Sequence, residues 1–276
     1  MARRSGLLFA AALALALGFV YRPAAAGLGA EPSWEEARAL LKQGKPGEAK
    51  AAFESLVRKY RDEPDLYLFL ALTELRLRNP QAAETQVRRA LKLAPEHAEA
   101  RTLLGWIELE VHHDYDAAIA EYSRVVQLRP EFPEGHNNLG AAWLKKGDLA
   151  KARESFDRAL AIRADYTEAL SNRGWTYVKE KDWRRARADF EKALAIDAGH
   201  EGALYGLSQV LRETRNYSGA QEALAKLTER SFNFVYWLER GEIQLLRYYW
   251  VLILVAVALF VRAKYKNGLR GILHGR

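Results

Sequence analysis

Residues 136–160 read HNNLGAAWLKKGDLAKARESFDRAL, and the stretch 34 positions later, residues 170–194, reads LSNRGWTYVKEKDWRRARADFEKAL. The two stretches have a glycine, an alanine, a phenylalanine and a final Ala-Leu at matching places. The alanine recurs along most of the chain at intervals of 34 or 35 residues, as Ala49, Ala83, Ala118, Ala152, Ala186 and Ala220. The chain is therefore built from a repeat of 34 residues.

Each of these alanines is followed by two apolar positions at helical spacing. Four residues after the alanine stands a bulky side chain: Phe53, Val87, Tyr122, Phe156, Phe190 and Leu224. Three residues further on stands a second apolar residue: Leu56, Ala90, Val125, Ala159, Ala193 and Leu227. Offsets of four and three place all three positions on one face of a helix, which we expect to be buried. An earlier apolar stretch with Gly105, Gly140 or Gly174 predicts a second helix in each unit.

This pattern of Leu-Gly, an aromatic, then Ala, an aromatic and Ala resembles the tetratricopeptide repeat (TPR) family. The resemblance implies an all-α superhelical solenoid of about six helix-turn-helix repeats. Its predicted bounds are 30–63, 64–97, 98–132, 133–166, 167–200 and 201–234. The third repeat has one extra residue, near His112-His113-Asp114. Five aromatic residues match the family's packing positions and are predicted to lie in the core: Trp143, Phe156, Tyr177, Trp183 and Phe190.

The net charge of +7 belongs to the two ends of the chain. Residues 27–240 contain 33 basic and 34 acidic residues, so the repeats are electrically balanced. A binding surface for nucleic acid needs an excess of positive charge. We therefore expect no nucleic acid partner.

The N-terminal segment has the form of a secretory signal peptide. Arg3 and Arg4 precede a run rich in Leu and Ala, and Ala24-Ala25-Ala26 supplies small residues for cleavage. Residues 1–26 are therefore predicted to be a signal peptide, with an uncleaved N-terminal anchor as the alternative. The chain has no cysteine, so a lipoprotein anchor is excluded and the redox compartment is undetermined.

A second apolar segment lies near the C-terminus. Residues 248–261 contain no charged side chain, and with Arg247 reaching the interface a transmembrane helix over 243–263 is predicted. Residues 235–242 would be a connector, and residues 264–276 a basic cytoplasmic tail. The alternative is a hydrophobic helix that caps the last repeat. The flanking basic residues place the repeats outside the cytoplasm, which predicts a bacterial inner-membrane protein with periplasmic repeats.

The sequence offers little for catalysis. Phosphate-binding, zinc-protease and serine-hydrolase motifs are absent, and zinc thiolate sites need cysteine. His112-His113-Asp114 is the one cluster with metal-binding residue types, and it is better explained as a polar turn. His97 and His200 fall where repeats begin and are interpreted as exposed or helix-entry residues. We expect no enzyme activity, no metal and no cofactor.

What remains is a binding surface for another protein. In TPR proteins the first helix of each repeat faces a concave groove, and the resemblance assigns five residues to it: Trp106, Asn138, Asn172, Trp175 and Tyr205. Asparagine amides can both donate to and accept from the backbone of an extended peptide. Aromatic rings are good anchors for a partner. For each residue the alternative is packing within or between repeats.

The sequence therefore predicts a membrane-anchored, non-catalytic adaptor for assembly of an envelope complex, with a peptide or helix in the groove. One alternative is a tail-anchored protein of a eukaryotic organelle, with its repeats in the cytosol. The other is a structural subunit whose transmembrane helix makes the main contact.

Overall fold

A computed structural model describes residues 33–230 and 234–273; the predicted signal peptide lies outside them. The described residues are α-helical apart from one π-helical turn, short turns and helix ends, and they contain no strand. The chain divides between Ile162 and Arg163 into two compact units. Unit 1 precedes this boundary and unit 2 follows it.

The described part of unit 1 consists of four helix pairs. Their helices are α1 (Trp34–Lys42) and α2 (Pro46–Lys59), α3 (Pro64–Arg76) and α4 (Pro80–Leu93), α5 (Ala98–Ile107) and α6 (Tyr115–Leu128), and α7 (Pro133–Lys146) and α8 (Leu149–Ile162). Four of these helices, α2, α3, α4 and α7, begin with proline, which has the fixed φ of a helix and leaves no backbone donor unsatisfied. Ser33 caps α1 in a reciprocal hydrogen-bonded box with Glu36.

Unit 2 contains two further pairs and one long helix in its described residues. These are α9 (Thr167–Lys179) and α10 (Trp183–Ile196), α11 (Glu201–Glu213) and α12 (Tyr217–Arg230), and α13 (Phe234–Leu273).

The predicted buried face is confirmed in every pair. The six recurring alanines are 0% exposed, and the bulky residues four positions later are at most 1% exposed. The first helix approaches these side chains closely where it has a glycine. A Cβ on Gly140 would lie 2.7 Å from Phe156 Cε1, and one on Gly174 would lie 2.7 Å from Phe190 Cε1. Glycine is therefore required there for the ring of the second helix to fit. Trp143 and Trp183, which were also predicted to be core, are only half-buried.

The turns inside the pairs share one backbone design. Each has a residue in the left-handed region, with φ between 58° and 94°: Gly44, Arg78, His113, Gly147, Lys181 and Arg215. In five of the six turns the next residue donates its N–H to a carbonyl five positions earlier, as in Asp182 to Tyr177 at 2.9 Å and Asn216 to Leu211 at 2.8 Å. In five of these turns that residue is Asp or Asn. In four of the five its side chain accepts from the first turn of the second helix: Asp114, Asp148, Asp182 and Asn216.

The extra residue of the third repeat is accommodated by a π-helical turn. Helix α5 continues as the wide turn Glu108–His112, which is followed by the left-handed His113. Asp114 then donates to Glu108 O at 2.9 Å, six positions earlier instead of five. A π-turn holds one more residue than an α-turn, so the insertion leaves the turn and the second helix in the same geometry as elsewhere. This agrees with the interpretation of His112-His113-Asp114 as a polar turn.

The beginning of α13 differs from its sequence interpretation. Residues 235–242, predicted to be a connector, are helical, and Tyr236 and Ile243 are buried against Leu204, Leu211 and Leu224 of the preceding pair. Ile243, the first residue of the predicted span, therefore belongs to the core of unit 2. Among the described residues, no helix combines the length and the apolar character needed to cross a membrane. The predicted transmembrane helix is thus not confirmed.

Candidate protein-binding surface

In unit 1 the two groove residues have different surroundings. Trp106 is half-buried and packs on the core cluster formed by α1 to α5. Asn138 on α7 is only 4% exposed, as is its neighbour Asn137. A partner in the groove cannot reach an amide that is this deeply buried. Asn138 is therefore removed from the candidate surface.

The glycine at the equivalent position of α11 indicates why this position is buried. Gly206 corresponds to Asn138 in the repeat, and a Cβ there would lie 2.2 Å from Phe190 Cζ on the preceding second helix. In this pair the position faces the neighbouring helix pair. Asn172 occupies the same position of α9 and is half-buried, so part of it remains at the surface of unit 2.

In unit 2 the structure brings together Trp175 and Tyr205 and adds a third ring. The centroids of Trp175 and Tyr205 are 5.8 Å apart, and those of Tyr205 and Tyr236 are 5.2 Å apart. These three residues, which lie on α9, α11 and α13, are called the aromatic row below. The Trp175 ring also meets Phe190 edge-on at 5.6 Å, and its Nε1 donates to Gly202 O at 3.3 Å. Aromatic pairs at such distances stabilise each other beyond the area they bury.

The aromatic row is fixed by a carboxylate from α13. Tyr205 Oη donates to Glu239 Oε1 at 2.8 Å, and Gln209 Nε2 donates to Glu239 Oε2 at 3.1 Å. Burial, together with this hydrogen bond, raises the pKa of Tyr205 to about 12. The phenol thus keeps its proton at neutral pH. Trp175 and Tyr205 are half-buried, so each has an inner side held by neighbours and an outer side open to a partner.

Tyr236 and Glu239 were not predicted as site residues, because both fall in the predicted connector 235–242. A signal for them was present. They lie 34 residues after Gly202 and Tyr205 respectively, so the repeat spacing continues into α13. The start of α13 thus packs as the first helix of another repeat would.

Unit 1 also contains a cluster of charged side chains around the start of α5 that was not predicted from the sequence. His97 Nε2 lies 2.8 Å from Asp65 Oδ1, and His97 Nδ1 lies 3.1 Å from Glu99 Oε2. Arg129 NH1 lies 2.6 Å from the other oxygen of Glu99. The side chains of His97, Asp65 and Glu99 are only 9%, 13% and 7% exposed. These four residues are called the His97 cluster.

Both ring nitrogens of His97 face carboxylates, which indicates an imidazolium that donates from each nitrogen. The ring could also accept from Ala100 N through Nδ1, but that distance is 3.4 Å, longer than either carboxylate contact. Although burial opposes its charge, the bonds to Asp65 and Glu99 raise the pKa of His97 to about 9. Burial also opposes ionisation of Glu99, but the bonds from His97 and Arg129 lower its pKa to about 2. The cluster therefore joins α3, the start of α5 and the residue that follows α6. His97, predicted to be an exposed or helix-entry residue, is the half-buried N-cap residue of α5.

The remaining histidines near helix ends have local partners. His112 Nε2 lies 2.9 Å from Glu84 Oε2, and His200 accepts from Ala203 N at 3.1 Å as a helix cap. Within the described part of the chain, no group of three His, Asp or Glu side chains is arranged to hold a metal ion.

The repeats match known family models. One model described as tetratricopeptide repeat matches residues 35–87, 70–111 and 108–167, and a second model with the same description matches residues 177–238. The chain is a member of the tetratricopeptide repeat family. No curated protein matches this TPR protein in sequence.

Solved structures show the same fold at low identity. A chain of the "APC/C hetero-tetramer Cut9-Hcn1" matches with a TM-score of 0.68 and 16% identity, covering 77% of this chain and 42% of that one. This TPR protein thus spans less than half the length of that relative. Pseudomonas aeruginosa pilF matches with a TM-score of 0.65 and 19% identity, covering 76% and 94%. YrrB, described as "a TPR protein with an unusual peptide-binding site", matches with 0.51 and 20%, covering 69% and 98%.

Proposed function

We propose that this TPR protein is a non-catalytic scaffold that binds a segment of another protein along the first helices of unit 2. The observation that carries the proposal is the aromatic row, with Trp175 and Tyr205 half-buried and adjacent on consecutive first helices. Rings held in place by their neighbours lose little entropy when a partner covers them. The peptide-binding site of the structurally similar YrrB supports a peptide as the ligand class.

Asn172 and Trp106 belong to this proposal in different ways. Asn172 lies three residues before Trp175 on α9, so it is on the helix that carries the first ring of the row. Its amide would satisfy the backbone of an extended segment. Trp106 lies in unit 1 and would act as a separate contact there.

Site-specific crosslinking tests the binding surface. We expect a photoreactive residue at Val178, half-buried near the end of α9, to give one defined crosslinked protein in cells. The same residue at Lys192, exposed on the second helix α10, is the matched control and should give none. Trp175→Phe with Tyr205→Phe should weaken the crosslink while keeping the rings that pack on Phe190 and Tyr236. Equal crosslinking from both positions, or none from Val178, would refute the groove.

We also propose that α13 attaches the protein to a membrane, with the repeats on the non-cytoplasmic side. The proposal rests on the charge-free run 248–261 and on the exposure of its residues. Residues 253–260 are all exposed, and the larger side chains among them are 51% to 70% exposed. Eight consecutive helical residues point in every direction around the axis. A protein partner would cover one face, whereas lipid surrounds a helix.

The burial of Ile243 in unit 2 shifts the proposed insertion toward the C-terminus. The charge-free run begins at Tyr248, which is exposed, so the inserted part of the helix would begin there. The helix continues to Leu273. Arg262 and Lys264 follow the charge-free run in the sequence, and residue types with such long side chains can reach an interface. The basic residues after position 261 support a cytoplasmic C-terminus by the positive-inside rule. A bacterial inner membrane with the repeats in the periplasm, where they would serve an envelope complex, is the location that follows.

The absence of cysteine from the sequence makes the orientation measurable. In bacteria with a permeabilised outer membrane, an impermeant maleimide should label Ala198→Cys, in an exposed turn of unit 2. It should label His274→Cys only after the cells are lysed. The opposite pattern would reverse the orientation. Extraction of the full chain by alkaline carbonate would refute the attachment itself.

A further inference from the structure

The direction of α13 follows from its contacts with α11. Tyr205 contacts Tyr236 and Glu239, Gln209 contacts Glu239, and Arg212 NH1 lies 3.7 Å from Glu242 Oε2. The contacts advance toward the C-terminus on both helices. Helices α11 and α13 are therefore parallel, and Glu242 is level with Arg212.

This parallel packing fixes where the apolar run leaves unit 2. Helix α11 ends at Glu213, one residue after Arg212. Helix α13 continues for many residues beyond Glu242 and so passes the turn between α11 and α12 within about one helical turn. The exposed residues 253–260 therefore project beyond that turn, on the side of unit 2 where first helices end. We call this side the turn edge; it comprises residues 180–185 and 213–216.

The turn edge has four basic side chains, three acidic ones and one aromatic ring: Lys181, Arg184, Arg185, Arg215, Glu180, Asp182, Glu213 and Trp183. An open depression of about 710 Å³ lies between its two turns, and it is lined by Glu180, Lys181, Asp182, Trp183, Arg184, Arg185, Arg187 and Thr214. Two of these cations are already bound, Arg185 to Asp182 at 2.6 Å and Arg187 to Glu191 at 2.7 Å. Among the described residues, Lys181, Arg184 and Arg215 are exposed and form neither a side-chain hydrogen bond nor an ion pair.

We propose that the turn edge rests on the phosphate groups of an anionic lipid surface. Lys181, Arg184 and Arg215 would bind the phosphates, and the half-buried Trp183 would lie at the interface, where its ring has both apolar and polar surroundings. This inference rests on the proposed membrane attachment through α13. It adds that unit 2 lies against the membrane by a specific edge. Each cation near an anionic surface strengthens binding about fivefold.

The test measures how close two edges of unit 2 come to lipid. The full chain, with a fluorophore on Thr214→Cys, is reconstituted in vesicles of phosphatidylcholine containing phosphatidylglycerol and a headgroup spin label that quenches at short range. The matched control is Ala198→Cys, in the turn between α10 and α11 at the opposite end of helices about 20 Å long. We expect severalfold stronger quenching at Thr214→Cys than at Ala198→Cys.

A charge variant then tests the role of the cations. The triple change Lys181→Asn, Arg184→Gln and Arg215→Asn removes the three charges, with asparagine at the two positions of positive φ because it tolerates this conformation. It should reduce quenching at Thr214→Cys and abolish the difference between vesicles with and without phosphatidylglycerol. The matched pair of single changes is Arg184→Gln and Lys192→Gln, which each remove one exposed charge from α10. Arg184→Gln should reduce the quenching at Thr214→Cys, whereas Lys192→Gln should leave it as in the parent.

The outcomes separate this inference from the proposed attachment. A chain that does not float with vesicles at all refutes the attachment. A chain that floats, but whose two labels are quenched equally or whose quenching ignores phosphatidylglycerol, overturns the inference alone. So does a result in which the triple variant keeps its contact with lipid but loses affinity for a polyglutamate peptide, which would assign the edge to an acidic protein.

Discussion

Replacement of Phe190 by alanine is expected to lower the free energy of unfolding of unit 2 by about 3 to 5 kcal/mol, as loss of a buried aromatic side chain does. Phe190 is 0% exposed, and its ring packs against both α9 and α11. A Cβ on Gly174 would lie 2.7 Å from the ring, and one on Gly206 would lie 2.2 Å from it. Its loss would therefore leave a cavity between consecutive helix pairs. Denaturant unfolding followed by hydrogen exchange of α9 to α11 measures the effect.

Gly206→Ala supplies the control for this interpretation. The new methyl group has no room beside Phe190, so the change should destabilise unit 2 in the parent chain. In a Phe190→Leu background the clash is relieved, and the same change should cost much less. The difference between the two costs is the coupling of the pair. Equal costs in both backgrounds would show that the ring does not limit the approach of the helices.

Unit 1 is expected to lose stability as the pH rises from about 6.5 to about 9. The pKa of His97 is raised to about 9 from its usual 6.5 by Asp65 and Glu99, so its contribution is complete below 6.5 and is lost through 9. The pKa of Glu99 is lowered from 4.5 to about 2, so its contribution is complete above 4.5 and is lost as the pH falls through 2. Both contributions are complete between about 4.5 and 6.5. After allowance for solvent screening, the His97 effect is on the order of 1 to 2 kcal/mol.

Thermal unfolding of the parent and of His97→Gln over this pH range checks the expectation. Glutamine can still donate one hydrogen bond but does not titrate, so its pH slope above 6.5 should be shallower. His200→Gln is the matched control, because His200 is likewise at the N-cap position of a first helix but forms no carboxylate ion pair in the described structure. A slope that His97→Gln leaves unchanged would exclude the His97 cluster as its source.

The repeats were predictable because their signal is local. Ala186 and Phe190 are four residues apart on one face of one helix, and burial of that face follows from spacing alone. The exposure of Trp183 could not be predicted this way, because it depends on how far the next turn extends over the ring. The burial of Asn138 could not be predicted either. Its position in the repeat assigned it to the groove, but repeat spacing does not show which neighbouring helices cover it.

The binding surface was predictable only in part. Trp175 and Tyr205 were chosen for their positions, and the structure brings them into contact. Tyr236 and Glu239 were missed because the residues typical of the family stop before α13, although the spacing itself continues. The His97 cluster joins Asp65 to a residue 32 positions later, and contact at that separation is decided by the packing of whole helices.

The π-helical turn at Glu108–His112 has a consequence for how such a chain can change over evolutionary time. A residue gained there widens one backbone loop and is absorbed before the chain reaches Asp114. The residues of α6 therefore keep the same face toward α5, and no compensating change is needed in the helices that pack against them. Insertions can therefore be inherited one at a time, and copies of unequal length can coexist in one array without being selected back to a common length.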